Sequence, residues 1–164
     1  GHMGEQATLY LICGKIAAGK STLARRLAQE PGTILIREDF WLSELYGDQM
    51  QTLADYVTFS EKLRTALEPH IVDLLRSGLS VVLDFPANTI ALRHWMRHLF
   101  ETAGCAHQLH LLDISDEICK QRLRMRNASG EHEFQVSGEQ FDRVSRHFQH
   151  PSEAEGFEII LHLA

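Results

Sequence analysis

Cysteine is scarce in this sequence: Cys13, Cys105 and Cys119 are widely spaced, odd in number and form no C-x-x-C pair. That excludes a disulfide scaffold and a thiolate metal site, and predicts reduced thiols in a cytoplasmic protein. No apolar run approaches the roughly 20 residues of a membrane span, and no signal peptide is recognisable, so no membrane partner is expected. Basic residues are the minority, with 16 Lys and Arg against 22 Asp and Glu and a net charge of −6. This argues against a polyanionic partner such as nucleic acid, although a local basic patch stays compatible with it. Histidine is plentiful, at 10 residues, but a ligand set is lacking. His94 and His98 are one helical turn apart with no third ligand nearby, and Glu131-His132-Glu133 falls in a polar stretch, so no structural metal is expected. There is no internal repeat and no room for a second domain in 164 residues. Gly1-His2-Met3 is expected to be an expression-tag remnant and residues 4–164 a single domain; the oligomeric state is left open.

What the chain does contain is concentrated near its start. Gly14-Lys15-Ile16-Ala17-Ala18-Gly19-Lys20-Ser21-Thr22 fits the pattern G-x-x-x-x-G-K-[ST]. The apolar, β-prone run Ala7–Cys13 precedes it, and Leu23, Ala24, Leu27 and Ala28 follow on one helical face. Glycines let successive backbone N–H groups converge on phosphate oxygens, and the following helix adds its unpaired N-terminal donors. Gly14, Lys15, Ala17, Ala18, Gly19, Lys20, Ser21 and Thr22 are therefore candidate nucleotide ligands. Lys20 is expected to reach the β- and γ-phosphates, and the Ser21 hydroxyl to hold Mg²⁺. Cys13 lies beside this loop, where modification of its thiol would block nucleotide; its strand position favours a buried apolar role instead.

Strand-like runs at 33–36, 80–84, 107–112 and 157–163 alternate with helical patterns, which predicts an α/β domain with a parallel sheet covered on both faces. Helices are expected at about 40–46, 60–77, 89–103, 115–127 and 138–149. Pro69 should kink or divide the second of these, and residues 47–55 read as loop or irregular helix. Ser137-Gly138-Glu139-Gln140 fits a capping box. Residues 128–136, poor in apolar side chains, read as a mobile flap.

Three further groups suggest chemistry. Asp39 stands at the C-terminal end of the second strand, where a carboxylate could orient an acceptor hydroxyl and take its proton. Its neighbour Glu38 competes for that role, and both could instead cap the helix at Phe40. Asp84 ends the third strand and is suited to hold Mg²⁺ directly or through water, unless it only caps a turn. Arg122 and Arg126 share a helix face before the flap, where guanidinium groups could neutralise charge on a transferred phosphoryl group; the alternative is a solvated helix face.

Taken together, the loop at 14–22, Asp39, Asp84, the Arg122–Asn127 stretch and the segment Phe141–Pro151 resemble the P-loop small-molecule kinases. That AAA-type ATP-binding group is related to chloramphenicol phosphotransferase, polynucleotide kinase and zeta toxins. The resemblance implies a five-stranded parallel sheet in the order 2-3-1-4-5, ATP with Mg²⁺ as cofactors, and a small lid at about 127–137. It gives Asp39 the role of base, and Arg122 or Arg126 that of lid arginine. Two positions depart from relatives that act on phosphorylated acceptors. Leu42 stands where an arginine often follows the base, and Leu83-Asp84-Phe85-Pro86 lacks the glycine and following arginine of nucleoside monophosphate kinases. Both favour an uncharged or amphiphilic small-molecule hydroxyl acceptor, met by Phe40, Trp41, Tyr46, Phe85, Asn88 and Arg93. The alternatives are a nucleoside, nucleotide or nucleic-acid 5′-hydroxyl kinase, and an ATP-binding switch with slow hydrolysis.

Overall fold

The computed structural model describes residues 6–130 and 136–163. The expected tag remnant at 1–3 and positions 131–135 of the expected lid lie outside the described residues. The chain alternates β1 (Thr8–Cys13), α1 (Lys20–Leu27), β2 (Thr33–Arg37), α2 (Glu38–Tyr46), α3 (Leu53–Arg76), β3 (Ser80–Pro86), α4 (Ile90–Ala103), β4 (Ala106–Asp113), α5 (Asp116–Ser129), α6 (Gly138–Ser145) and β5 (Ile159–Leu163). The five strands form one sheet in the order β2-β3-β1-β4-β5, every neighbouring pair parallel, as expected from the sequence. Because the order reverses beside β1, the crevice at the carboxyl end of β1 and β3 is where such a sheet receives a ligand.

Side chains alternate across the strands and feed two cores. Leu9, Leu11, Val81, Leu83 and Phe85 pack with α3 and α4 on one face. Ile12 and Val82 pack on the other with Leu23 of α1, Leu123 of α5 and Phe141 of α6. Several boundaries differ from the sequence expectation. α3 begins at Leu53, within the expected loop, because Thr52 and Asp55 form a reciprocal capping box. Pro69 sits inside α3 without dividing it: it removes one backbone donor, while Leu63, Leu67, Ile71 and Leu75 keep both halves buried against the sheet. β3 runs two residues beyond Asp84, to Pro86, with the register to β1 shifting between Leu11 and Ile12. α5 extends to Ser129, with Gly130 in the left-handed region beyond it, whereas α6 stops at Ser145.

The edge of the sheet carries a histidine pair. His110 Nδ1 lies 2.8 Å from His162 Nε2, and His110 Nε2 lies 3.0 Å from Gln108 Oε1. Burial, then His162 and Arg26, push the His110 pKa down from 6.5 to about 4, and burial lowers His162 as well. A folded-state pKa below the unfolded value favours the neutral ring. This contribution is therefore complete above pH 6.5 and is lost as pH falls toward about 4. Thermal melts should shift to lower temperature across that window, and His110→Gln should flatten the shift; an unchanged slope would remove the histidine pair as its cause.

Candidate active site

Main-chain geometry shapes the loop between β1 and α1. Ala17 has φ 64° and Gly19 φ 105°, both in the left-handed region, and Ala18 N–H donates to the Lys15 carbonyl at 3.1 Å. A Cβ on Gly14 would stand 3.1 Å from Leu112 Cβ and 3.3 Å from Ala18 Cβ, so a side chain there would have to push its neighbours back by a few tenths of an ångström. Lys20 turns back into the loop, its ammonium donating to the carbonyls of Gly14 at 2.7 Å and Lys15 at 2.9 Å. Burial pushes its pKa down, opposed chiefly by Asp84, with Cys13 and Asp39 also favouring the charged form. Lys15 pairs with Asp116 at 2.8 Å, and Thr22 is exposed on the first turn of α1.

Ser21 Oγ donates to Asp84 Oδ2 at 3.0 Å, so the two residues expected to share a cation are adjacent. Asn88, just beyond β3, holds the start of the loop from both sides: Gly14 N–H donates to its Oδ1 at 2.9 Å, and its amide donates to the Gly14 carbonyl at 2.8 Å. Asn88 therefore braces the loop and is not free to line an acceptor site. Cys13 is fully buried, and burial pushes its thiol up to about 11, so the reactive-thiol alternative loses its premise.

Glu38 and Asp39 open α2 and part company there. Asp39 is exposed, whereas Glu38 is 2% exposed and accepts hydrogen bonds from the hydroxyls of Tyr56 and, at 3.1 Å, Ser60. The N-cap of α2 is Arg37, whose side chain makes no cap, and the two acids occupy the first turn. Burial raises the Glu38 pKa against the pull of the Tyr56 hydrogen bond, while the charge of Asp39 adds to the rise. Beside Asp39 opens a cavity of about 300 Å³ lined by Asp39, Leu42, Met50, Gln51, Thr52 and Tyr56.

α5 brings one of the two candidate arginines to the loop. Arg122 donates to the Ala18 carbonyl at 3.2 Å. Arg126, one turn on, is half-buried, and its Nε meets no acceptor among the described residues. Asn127 bonds through its side chain to both the carbonyl (2.7 Å) and the N–H (3.4 Å) of Val136, tying together the two ends of the expected lid.

The expected acceptor lining is corrected. Phe85 is 1% exposed in the core, Tyr46 stacks on Phe59 at 4.3 Å, and Phe40 and Trp41 face outward, Phe40 beneath the Arg37 guanidinium. Arg93 is fully buried: it pairs with Glu155 at 2.8 Å and donates to the Ala87 carbonyl at 2.8 Å. Alternation along β3 sends Phe85 to the core, and the partner of Arg93 lies 62 residues away in sequence. The contact that could have been foreseen is Thr52-x-x-Asp55, which begins α3 early enough to deliver Tyr56 to the site. Among the described residues, no cluster of three or more His, Cys, Asp or Glu could hold a metal, and no helix is long and apolar enough to cross a membrane.

A parallel sheet with this strand order, a phosphate-type loop after β1 and an acid on β3 define the fold of the P-loop kinases. The chain belongs to the AAA_33 family, described as an AAA domain, whose model matches residues 9–151. Solved structures with the same fold include a candidate kinase from Chloroflexus aurantiacus, with a TM-score of 0.74, 19% identity, and coverage of 98% of this chain and 86% of that one. The Mycobacterium tuberculosis APS kinase, in complex with AMPPNP and APS, gives a TM-score of 0.63 at 20% identity, covering 96% and 89% of the two chains. Chaetomium thermophilum Kti12, in complex with ADP-AlF3, gives 0.68 at 16% identity, covering 95% and 88%. No curated protein matches the chain.

Proposed function

We propose that the protein is an ATP-dependent phosphotransferase that moves the γ-phosphoryl group to a hydroxyl of a small molecule. The observation that carries this reading is the convergence at one sheet edge of Lys20 inside its loop, the Ser21–Asp84 pair, and Asp39 beside a cavity. Lys20 and the N–H groups of the loop bind the phosphates and hold the γ-phosphoryl group in line with the acceptor. Ser21 and Asp84 offer hard oxygen ligands at 3.0 Å from each other, a donor set that fits Mg²⁺. Bound there, the cation would neutralise phosphate charge. Asp39 accepts the proton of the acceptor hydroxyl as its oxygen forms a bond to the γ-phosphorus. The bond from that phosphorus to the β,γ-bridging oxygen breaks, and its electron pair leaves with ADP. Arg122, anchored on Ala18, stabilises charge on the group in transit, with Arg126, one turn further along α5, as the second candidate for that role.

Support for a nucleotide comes from the solved relatives, two of which hold AMPPNP or ADP-AlF3 on the same fold. Incubation with ATP, Mg²⁺ and pooled hydroxyl metabolites, with mass detection of a phosphorylated product, tests the activity. Product is expected, and Lys20→Ala should lower its rate by about 10²–10³-fold. Steady phosphate release with no acceptor-dependent product would turn the reading toward a hydrolytic switch.

A further inference from the structure

The cavity beside Asp39 is built almost entirely by one stretch of chain, from α2 to the first turns of α3. Its wall is mostly apolar: Leu42 is 1% exposed and part of the core, and Met50 and Tyr56 pack against the same core. Tyr56 has its hydroxyl committed inward to Glu38, so what remains of it to face a ligand is the aromatic ring. Thr52 is likewise engaged, its Oγ1 accepting from Asp55 N–H at 3.1 Å. The electrostatics are one-sided. Positions 38–61 hold six carboxylates, Glu38, Asp39, Glu44, Asp48, Asp55 and Glu61, and no Lys, Arg or His. The nearby cations are turned to other partners: Arg64 donates to Ser60 and lies over Trp95, Arg37 lies over Phe40, Lys62 lies over Phe59, and Lys20 is enclosed by its loop.

We propose that this cavity is the acceptor site and that it takes an alcohol with an apolar body and no anionic group, amine-bearing alcohols ahead of neutral ones. The inference rests on the phosphotransferase reading for the role of Asp39, but its binding test does not. An apolar body is received by Leu42, Met50 and the Tyr56 ring, with the hydroxyl directed to Asp39. An ammonium group gains from the surrounding carboxylates and from the face of Tyr56. A carboxylate or phosphate on the acceptor would be desolvated beside Asp39, in front of Glu38, without a cation in the wall, which is exclusion by like charge. Glu38 is the positioning residue of the site, since it fixes Tyr56 and Ser60 from behind.

Ligand-observed NMR with the full chain, using 2-amino-3-phenyl-1-propanol, 3-phenyl-1-propanol and 3-phenyllactate as probes of matched size, tests it without any turnover. Affinity should fall in that order, by about tenfold or more between the first and last, and the spread should narrow at high salt. Met50→Arg should raise binding of 3-phenyllactate and lower that of the amine, with folding checked by thermal melt. Gln51→Arg, at an exposed position on the mouth, should act in the same direction if Met50→Arg is poorly folded. Equal or tighter binding of 3-phenyllactate, indifference to both variants, or no saturable binding of any probe would overturn the assignment. Binding in the expected order with no phosphorylated product across a broad hydroxyl library would instead overturn the phosphotransferase reading and leave the site standing.

Discussion

Asp39→Asn should lower acceptor phosphorylation by about 10²–10⁴-fold, the range a positioned general base contributes, while ATP affinity stays close to that of the parent protein. The amide keeps the size and the hydrogen-bonding reach of the carboxylate but cannot take the proton. Asp39 is exposed on the first turn of α2, outside the loop that would hold the phosphates, so nothing in the nucleotide grip depends on it directly. Its Coulombic support of Lys20 ranks behind that of Asp84 and Cys13. Glu38→Gln is the informative companion. That residue is buried beneath Tyr56 and Ser60, so its loss should weaken acceptor binding through KM more than it lowers kcat. Rate measurements at saturating acceptor separate the two. If Glu38→Gln collapses kcat and Asp39→Asn does not, the base has been assigned to the wrong neighbour.

Why Asp39 was legible and the cavity beside it was not follows from the range of the interactions involved. The loop from Gly14 to Thr22 announces itself because its function needs glycine and lysine at fixed local spacing. The strands announce themselves by short apolar runs, and the strand order then follows the resemblance to relatives with the same alternation. The aromatic residues carry no such signal. Phe85 is buried and Phe40 exposed because of where β3 and α2 pack, and a list of ring-bearing residues near a strand end cannot separate the two. Met50, Gln51 and Thr52 fall in a segment without period, which reads as loop or irregular helix, yet they line the cavity once Thr52 starts α3. Glu38 and Asp39 were indistinguishable by type; helix geometry after β2 turns one into the interior and leaves the other at the surface.

The largest stability effect is expected at a residue that touches none of the proposed chemistry. Glu155→Ala should cost about 3–5 kcal/mol, because it leaves the guanidinium of Arg93 buried with no countercharge. The Arg93 side chain is 0% exposed, and Glu155 meets it at two points, 2.8 Å from Nε and 3.3 Å from Nη2. Burial alone would raise the Glu155 pKa, but the bonds from Arg93 and the Ser152 N–H outweigh it and hold the carboxyl below its usual value. The contribution is thus present above the unfolded carboxylate range and lost as pH falls through the folded value, adding to the acid sensitivity of the histidine pair. In a domain of this size such a loss corresponds to a fall of about 10 °C or more in Tm. Removing both charges with Arg93→Met and Glu155→Leu should recover most of it, since the penalty of the single variant lies in the unpaired cation. Arg93 also donates to the Ala87 carbonyl, one residue before Asn88, which grips Gly14. The double variant should therefore fold but bind ATP more weakly than the parent, by loosening the turn that braces the loop. Recovery of stability together with full ATP affinity would show that Asn88 holds the loop without help from Arg93, and failure of the double variant to recover would mean that the pair matters for its packing and not for its charge.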